Sequence, residues 1–400
     1  MIRPHVNRIL QLAVLTLFGF VGAVLPQSVS FKDFKKTLTE RAGFTTEDFD
    51  LIEKGKPVVR TIKSDVKHEV AVCGVIKLRA PNDISVDSFH RVIEIQEKKT
   101  SEEYGEFSKE PVMADLKGLT ISDGELLDLR DCKTNSCKWN LPSDVIKRVT
   151  TEIDWEADDA VKQADKMIRA ILLQYVIDYG QKGDSALFTY NDKPDPVVLI
   201  KEYESIQDQL FWVDILSPEF ANYLKTFPEN EPNGIYKTQN WSKIKIGLKP
   251  VIILTQNITY RMPEQKNPAA FIISKQIYAN HYFDSTLAQT AIISYPKDES
   301  GQDTYLMFLN RSRAGAFKGT LGKLARGIVE NQALSRLETV LVQTKRRSSL
   351  ALVNREADAD AEIEASYSGG WFTFRNLVWL LIIVVGLALI YWVISSRRKR

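Results

Sequence analysis

The chain has 400 residues, 44% of them hydrophobic and 26% charged. That is enough apolar surface for one large folded body or two smaller ones, and it excludes a disordered chain. Its 53 basic and 51 acidic residues nearly cancel, so no field gathers a polyanion, and no basic-aromatic pattern points to nucleic acid.

Met1 to Ala23 carries Arg3, His5 and Arg8 ahead of an uncharged run from Ile9 to Leu25, with Val21-Gly22-Ala23 near its end. This is the layout of a secretory signal over 1–23, with an uncleaved anchor as the alternative. Residues 24–66 read as an N-terminal helical scaffold. Phe31, Phe34 and Leu38 recur at helical spacing behind Ser30, and Thr45 to Asp48 resembles a capping box that opens a second helix stopping at Gly55. Val58 to Ile62 and Glu69 to Leu78 are strand-like, and the second, apolar on both faces, belongs inside a sheet. The second of these strands begins an α+β body over 67–347. An amphipathic helix is expected around Ile84 to Ile93, and the polar stretch Lys98 to Lys117 reads as a surface excursion.

Cys132 and Cys137 bracket Lys-Thr-Asn-Ser, a turn-rich tetrapeptide that suits a small disulfide loop in an exported protein, leaving Cys73 as a buried thiol. A metal reading of that pair lacks two further ligands nearby. A helical block follows over about 143–226. Its longest helix runs from about Ala157 to Tyr179 with Gly180 as its stop, then one from about Val198 to Phe211 and one from Pro218 to Thr226. After Pro250 the period becomes strand-like: Val251–Tyr260, Ala270–Phe283, Thr286–Tyr295 and Thr304–Asn310 form an antiparallel meander over about 251–310. A long amphipathic helix, about 321–345, should lie against it. Ser348 to Gly370 is rich in Ala, Asp and Glu and reads as a linker.

The chain closes on Leu377 to Ile394, which carries no charge. As a helix it is about 27 Å long, close to the hydrocarbon thickness of a bilayer. Arg397-Arg398-Lys399-Arg400 follows directly. A basic flank stays cytoplasmic, so the tail 395–400 is expected inside and the body outside. The expected fold class is therefore α+β: an antiparallel β meander packed against a long C-terminal helix, with a helical block inserted before it, tethered to one C-terminal transmembrane helix.

Candidate ligand-binding residues cluster late in the chain. Strand alternation puts Ser274, Gln276, Tyr278, Asn280 and Tyr282 on one face and Lys275, Ile277, Ala279, His281 and Phe283 on the other. Tyr278, Asn280 and Tyr282 supply placed polar groups for a pocket. His281 is the acid-base candidate, but needs a hydrogen-bonded partner that the sequence does not identify. Arg311 and Arg313 either pair an anionic head group or belong to a strand-end salt bridge or turn. No Walker loop, dinucleotide glycine motif, HExxH or Gly-x-Ser-x-Gly elbow is present. No catalytic residue, metal or cofactor is assigned. Asn240-Trp-Ser242, Asn257-Ile-Thr259 and Asn310-Arg-Ser312 match the glycosylation tripeptide, which would be awkward inside strands.

Three stretches, Asp131 to Cys137 followed by Leu141-Pro142, Phe271 to Ser285, and Tyr305 to Arg313, together resemble an uncharacterised family of bacterial exported proteins. The resemblance covers approximately Glu69 to Arg346 and implies an envelope location, the inner membrane with a periplasmic body, without supplying a catalytic residue. The order of a strand with Gly74, then Pro and helix, later a meander and a long final helix, is similar to START-like helix-grip domains. That likeness implies an apolar cavity between sheet and last helix. The expected function is a membrane-anchored, non-catalytic extracytoplasmic binding protein, with the lipid bilayer as one partner and a lipid or other hydrophobic small molecule as ligand. The alternative is an envelope interaction or scaffold protein with a packed core and a protein partner. The third reading is an enzyme using His281.

Overall fold

The computed structural model describes residues 30–246, 249–262, 269–297, 301–317 and 319–353. The expected signal over 1–23, the span Leu377–Ile394, the tail 395–400 and the linker beyond Val353 lie outside the described residues. Among the described residues no helix is long and apolar enough to cross a membrane.

Two short helices come first. α1 (Phe31–Ala42) is capped by the Ser30 hydroxyl, and α2 (Thr46–Glu53) begins with the expected capping box of Thr45 and Asp48. β1 (Val58–Thr61) and β2 (Glu69–Leu78) then pair antiparallel. α3 (Asn82–Thr100) leads directly into β3 (Ser101–Glu106). The expected surface excursion over Lys98 to Lys117 thus contains a strand. β3 pairs with one neighbour only, and a sheet edge tolerates the charges and Gly105 that hide it in the sequence.

The helical block comprises α4 (Asp123–Leu127), α5 (Ser143–Thr151), α6 (Ala160–Lys182), the ribbon β4 (Thr189–Tyr190) with β5 (Val197–Val198), α7 (Leu199–Gln207), α8 (Val213–Leu216) and α9 (Pro218–Thr226). α6 runs through Gly180, its expected stop. It ends at Gly183, where φ is 57° and ψ is −138°, a conformation that only glycine adopts readily. The expected helix from Val198 to Phe211 ends early, at Gln207.

The meander has five strands: β6 (Ile235–Ile246), β7 (Lys249–Arg261), β8 (Ala269–Ala279), β9 (Ser285–Lys297) and β10 (Gly301–Arg313). β6 precedes the four expected strands. Its Lys and Gln residues suit a position beside the edge strand rather than the middle of the sheet. The order of the main sheet is β1-β2-β10-β9-β8-β7-β6-β3. β10 returns to pair with β2 from Thr304 opposite Leu78 to Arg313 opposite Glu69. α10 (Gly319–Val353) follows, so the first residues of the expected linker, Ser348 to Val353, are helical.

Both faces of β2 are covered, as its doubly apolar sequence requires. Ala71, Cys73 and Val75 enter a large core shared with the helical block, whereas Val70, Val72, Ile76 and Leu78 enter a second core shared with α3 and α10. Gly74 permits the close seating of α10. A Cβ there would stand 2.9 Å from side-chain carbons of both Leu337 and Leu341. Those two leucines therefore fill the space over this part of β2.

Candidate functional site

β8 does not alternate as its sequence suggests. Leu254 pairs with Tyr278 but Thr255 pairs with Gln276, which leaves Ile277 as an extra residue in a bulge. The bulge turns Tyr278 to the side of the helical block, where Tyr175, Phe188 and Tyr190 surround its ring edge-on. Tyr278 and Asn280 thus part from Ser274 and Gln276. The expected strand to Phe283 stops at Ala279. Beyond it the Asn280 side-chain oxygen accepts from the Ile252 N–H at 2.8 Å, and the Tyr282 hydroxyl accepts from the Lys249 N–H at 3.2 Å.

The ladder between β8 and β9 ends at Lys275 opposite Leu287. Past that point, side chains from the helical block satisfy the exposed backbone of β8. The Tyr203 hydroxyl donates to the Gln276 carbonyl and accepts from the Thr286 N–H, so it bridges the two parting strands. Tyr175 donates to the Ile277 carbonyl at 2.7 Å, Tyr190 accepts from the Ala279 N–H at 3.2 Å, and the Asn140 amide donates to the Ala279 carbonyl at 2.9 Å. Buried backbone groups need such partners. Burial pushes the Tyr175 and Tyr203 phenols far up, which keeps them protonated as donors.

His281 is 4% exposed and sits edge-on to Trp139, ring centres 5.8 Å apart. Its Nε2 has no hydrogen-bond partner among the described residues. Burial, reinforced by the nearby Lys249 ammonium, lowers its pKa to about 4. The imidazole is neutral at physiological pH and has no carboxylate on Nε2 to activate it. Because the unfolded chain takes up this proton near pH 6.5, the contribution of His281 to stability is complete above that pH. It is lost as pH falls toward 4. The expected loss is about 3 kcal/mol, seen as an unfolding midpoint that drops over this window and flattens in His281→Leu.

Arg311 and Arg313 are both buried and engaged by carboxylates of the fold. Arg311 Nη1 lies 2.5 Å from one oxygen of Glu69 and Arg313 Nε lies 2.9 Å from the other, with Glu69 fully buried. Arg313 also reaches Glu202 at 2.7 Å and the Ser205 hydroxyl at 3.0 Å on α7. Burial lowers the Arg311 pKa. Burial also acts against Arg313, but its bonds to Glu202 and Glu69 outweigh that and raise it. Of the two expected roles, the strand-end salt bridge is the one present.

Lys275 forms a third buried charge. Its Nζ is 2.5 Å from Asp184 and 4.3 Å from the Tyr203 ring centre, and burial lowers its pKa. Beside it a cavity of about 20 Å³, bordered by Tyr179, Gln256 and Leu287, has room for about one water. Nothing in the sequence pairs Lys275 with Asp184, which comes from the turn after α6. Cys132 and Cys137 form a disulfide, and Cys73 is buried with its thiol pKa pushed up by burial. Among the described residues no group of three or more His, Cys, Asp or Glu side chains is placed to hold a metal.

The opposite face of the meander is different in character. Asn257 stands opposite Ser274, and Ser274 and Asn310 both stand opposite Ala288. Ser274, Asn257 and Asn310 are partly exposed there. α3 reaches this face through His90, whose Nε2 is 3.0 Å from the Thr259 hydroxyl, and through Glu97, which accepts from the Asn240 amide at 3.1 Å. No protein-family model and no curated protein matches the chain.

Proposed function

We propose that this protein is a non-catalytic binding module, carried on the outer side of a membrane by the span Leu377–Ile394 and acting through its surface rather than through an enclosed lipid cavity. The observation that supports this best is the internal use of every strongly charged candidate. Arg311 and Arg313 are held by Glu69, and Lys275 is held by Asp184. A neutral His281 without a partner on Nε2 leaves the acid-base reading unsupported. The strand order, with β2 beside β10 and α10 laid across it, favours the helix-grip resemblance. The filling of the space over Gly74 by Leu337 and Leu341 argues against a ligand at that point. The polar side of the meander, partly exposed at Asn257, Ser274 and Asn310 beside α3 and α10, is where a partner would meet the sheet.

The test uses the full chain in its membrane. A reporter enzyme that functions only outside the cytoplasm, fused at residue 370, is expected to be active, and organic extraction of the purified protein is expected to release no stoichiometric amphiphile. A silent reporter on membrane-inserted protein would overturn the placement. One equivalent of a bound lipid would restore the cavity reading.

A further inference from the structure

The three glycosylation-like tripeptides acquire a common explanation in the sheet. Residues two apart on a strand project from the same face, so each Asn shares a face with its Ser or Thr. β6, β7 and β10 each carry one such pair, and the register brings all three to the side turned away from the helical block. From Tyr236–Asn240 on β6 across to Phe308–Ser312 on β10, the strands themselves present no charged residue to this face, in a chain that is 26% charged; the carboxylate of Glu97 on α3 meets it only at the Asn240 border. A strand face that merely meets water usually carries Lys and Glu. Here hydroxyl and amide groups stand in adjoining rows.

Two observations indicate that the face awaits a ligand. Gln276 is only 6% exposed, yet its side-chain nitrogen has no partner among the described residues. A buried amide donor left unmet costs on the order of 1–3 kcal/mol, which an incoming acceptor would recover. At the β6 border Tyr236 is 65% exposed and stands opposite Thr259, a flat ring beside the polar rows.

We propose that this face binds a neutral, polyhydroxylated ligand, a glycan, with Asn257, Ser274, Gln276 and Asn310 as hydrogen-bonding floor and Tyr236 as stacking platform. Amides and hydroxyls both donate and accept, as sugar hydroxyls do, and an uncharged floor avoids stripping water from ions. The Tyr ring offers an apolar plane to the C–H side of a sugar. The proposal rests on the binding-module reading and names its ligand class.

Calorimetric titration of the full chain in detergent with chitotetraose and with maltoheptaose tests it. Saturable binding of one of them is expected. Ser274→Lys places an ammonium in the floor and should weaken it roughly tenfold or more, and Tyr236→Ala should weaken it roughly threefold to tenfold. Thermal unfolding of both variants is expected to match the parent, since both sites are solvent-accessible. Failure of both oligosaccharides to saturate, or equal binding by parent and variants, overturns the proposal. If the parent ignores the sugars but binds a protein of the same membrane, and Ser274→Lys abolishes that, the glycan assignment falls while the binding-module reading stands. Binding of one equivalent of lipid in place of sugar removes both.

Discussion

Glu69→Ala should be the most damaging single substitution in the sheet, with an expected loss of about 3–5 kcal/mol, the range for removing one partner of a buried ion pair. Glu69 is 0% exposed and is shared by Arg311 and Arg313, themselves 5% and 3% exposed. Without it Arg313 retains Glu202, but Arg311 loses its 2.5 Å carboxylate contact and keeps the repulsion of Arg313 and Arg41. Urea unfolding followed by tryptophan fluorescence would measure the effect, because Trp139, Trp212 and Trp241 are fully buried. Glu69→Gln keeps the shape and one acceptor, so a smaller loss is expected. An unfolding midpoint for Glu69→Ala equal to that of the parent would show that the arginines find other partners or water.

Gly183→Ala should come close to it, at about 3–5 kcal/mol, from backbone strain and overpacking acting together. A Cβ at Gly183 would lie 1.8 Å from the Phe227 carbonyl oxygen, a contact that cannot persist, and the φ of 57° with ψ of −138° disfavours any side chain. The backbone shift would carry Asp184 with it. Asp184 holds Lys275 and accepts from the Tyr179 hydroxyl at 3.1 Å, so the variant should also loosen α6 from β8. Hydrogen exchange at the amides of β8 would register this as faster opening than in the parent. Unchanged protection there would mean that the turn relaxes without disturbing the buried pair.

Both substitutions act where distant segments meet, and that is where the sequence is least informative. Local periodicity suffices for the elements themselves. The capping box at Thr45, the doubly apolar β2, the meander after Pro250 and the final helix are legible because their side-chain spacing reports which sides are buried. The short edge strand β3 and the polar strand β6 are not, since strands near an edge are freed from the apolar alternation that identifies central ones.

The candidate site is legible in outline, but its detail depends on contacts that composition does not announce. The stretch around Tyr278 to Tyr282 stands out by composition, but one extra residue at Ile277 reverses the side to which Tyr278 points. Whether Arg311 serves a ligand or a salt bridge depends on Glu69, which lies 242 positions earlier in the chain. The sequence by itself determined which segments become strands and helices, because backbone geometry and hydrophobic spacing act over a few residues. Only the tertiary structure decided which polar groups remain available, because the partners that consume a buried charge or a strand's backbone come from elements far away in the chain. The tyrosines of the helical block that close the β8 backbone are such partners. The uncharged face of the meander is likewise visible only once register has set its five strands side by side.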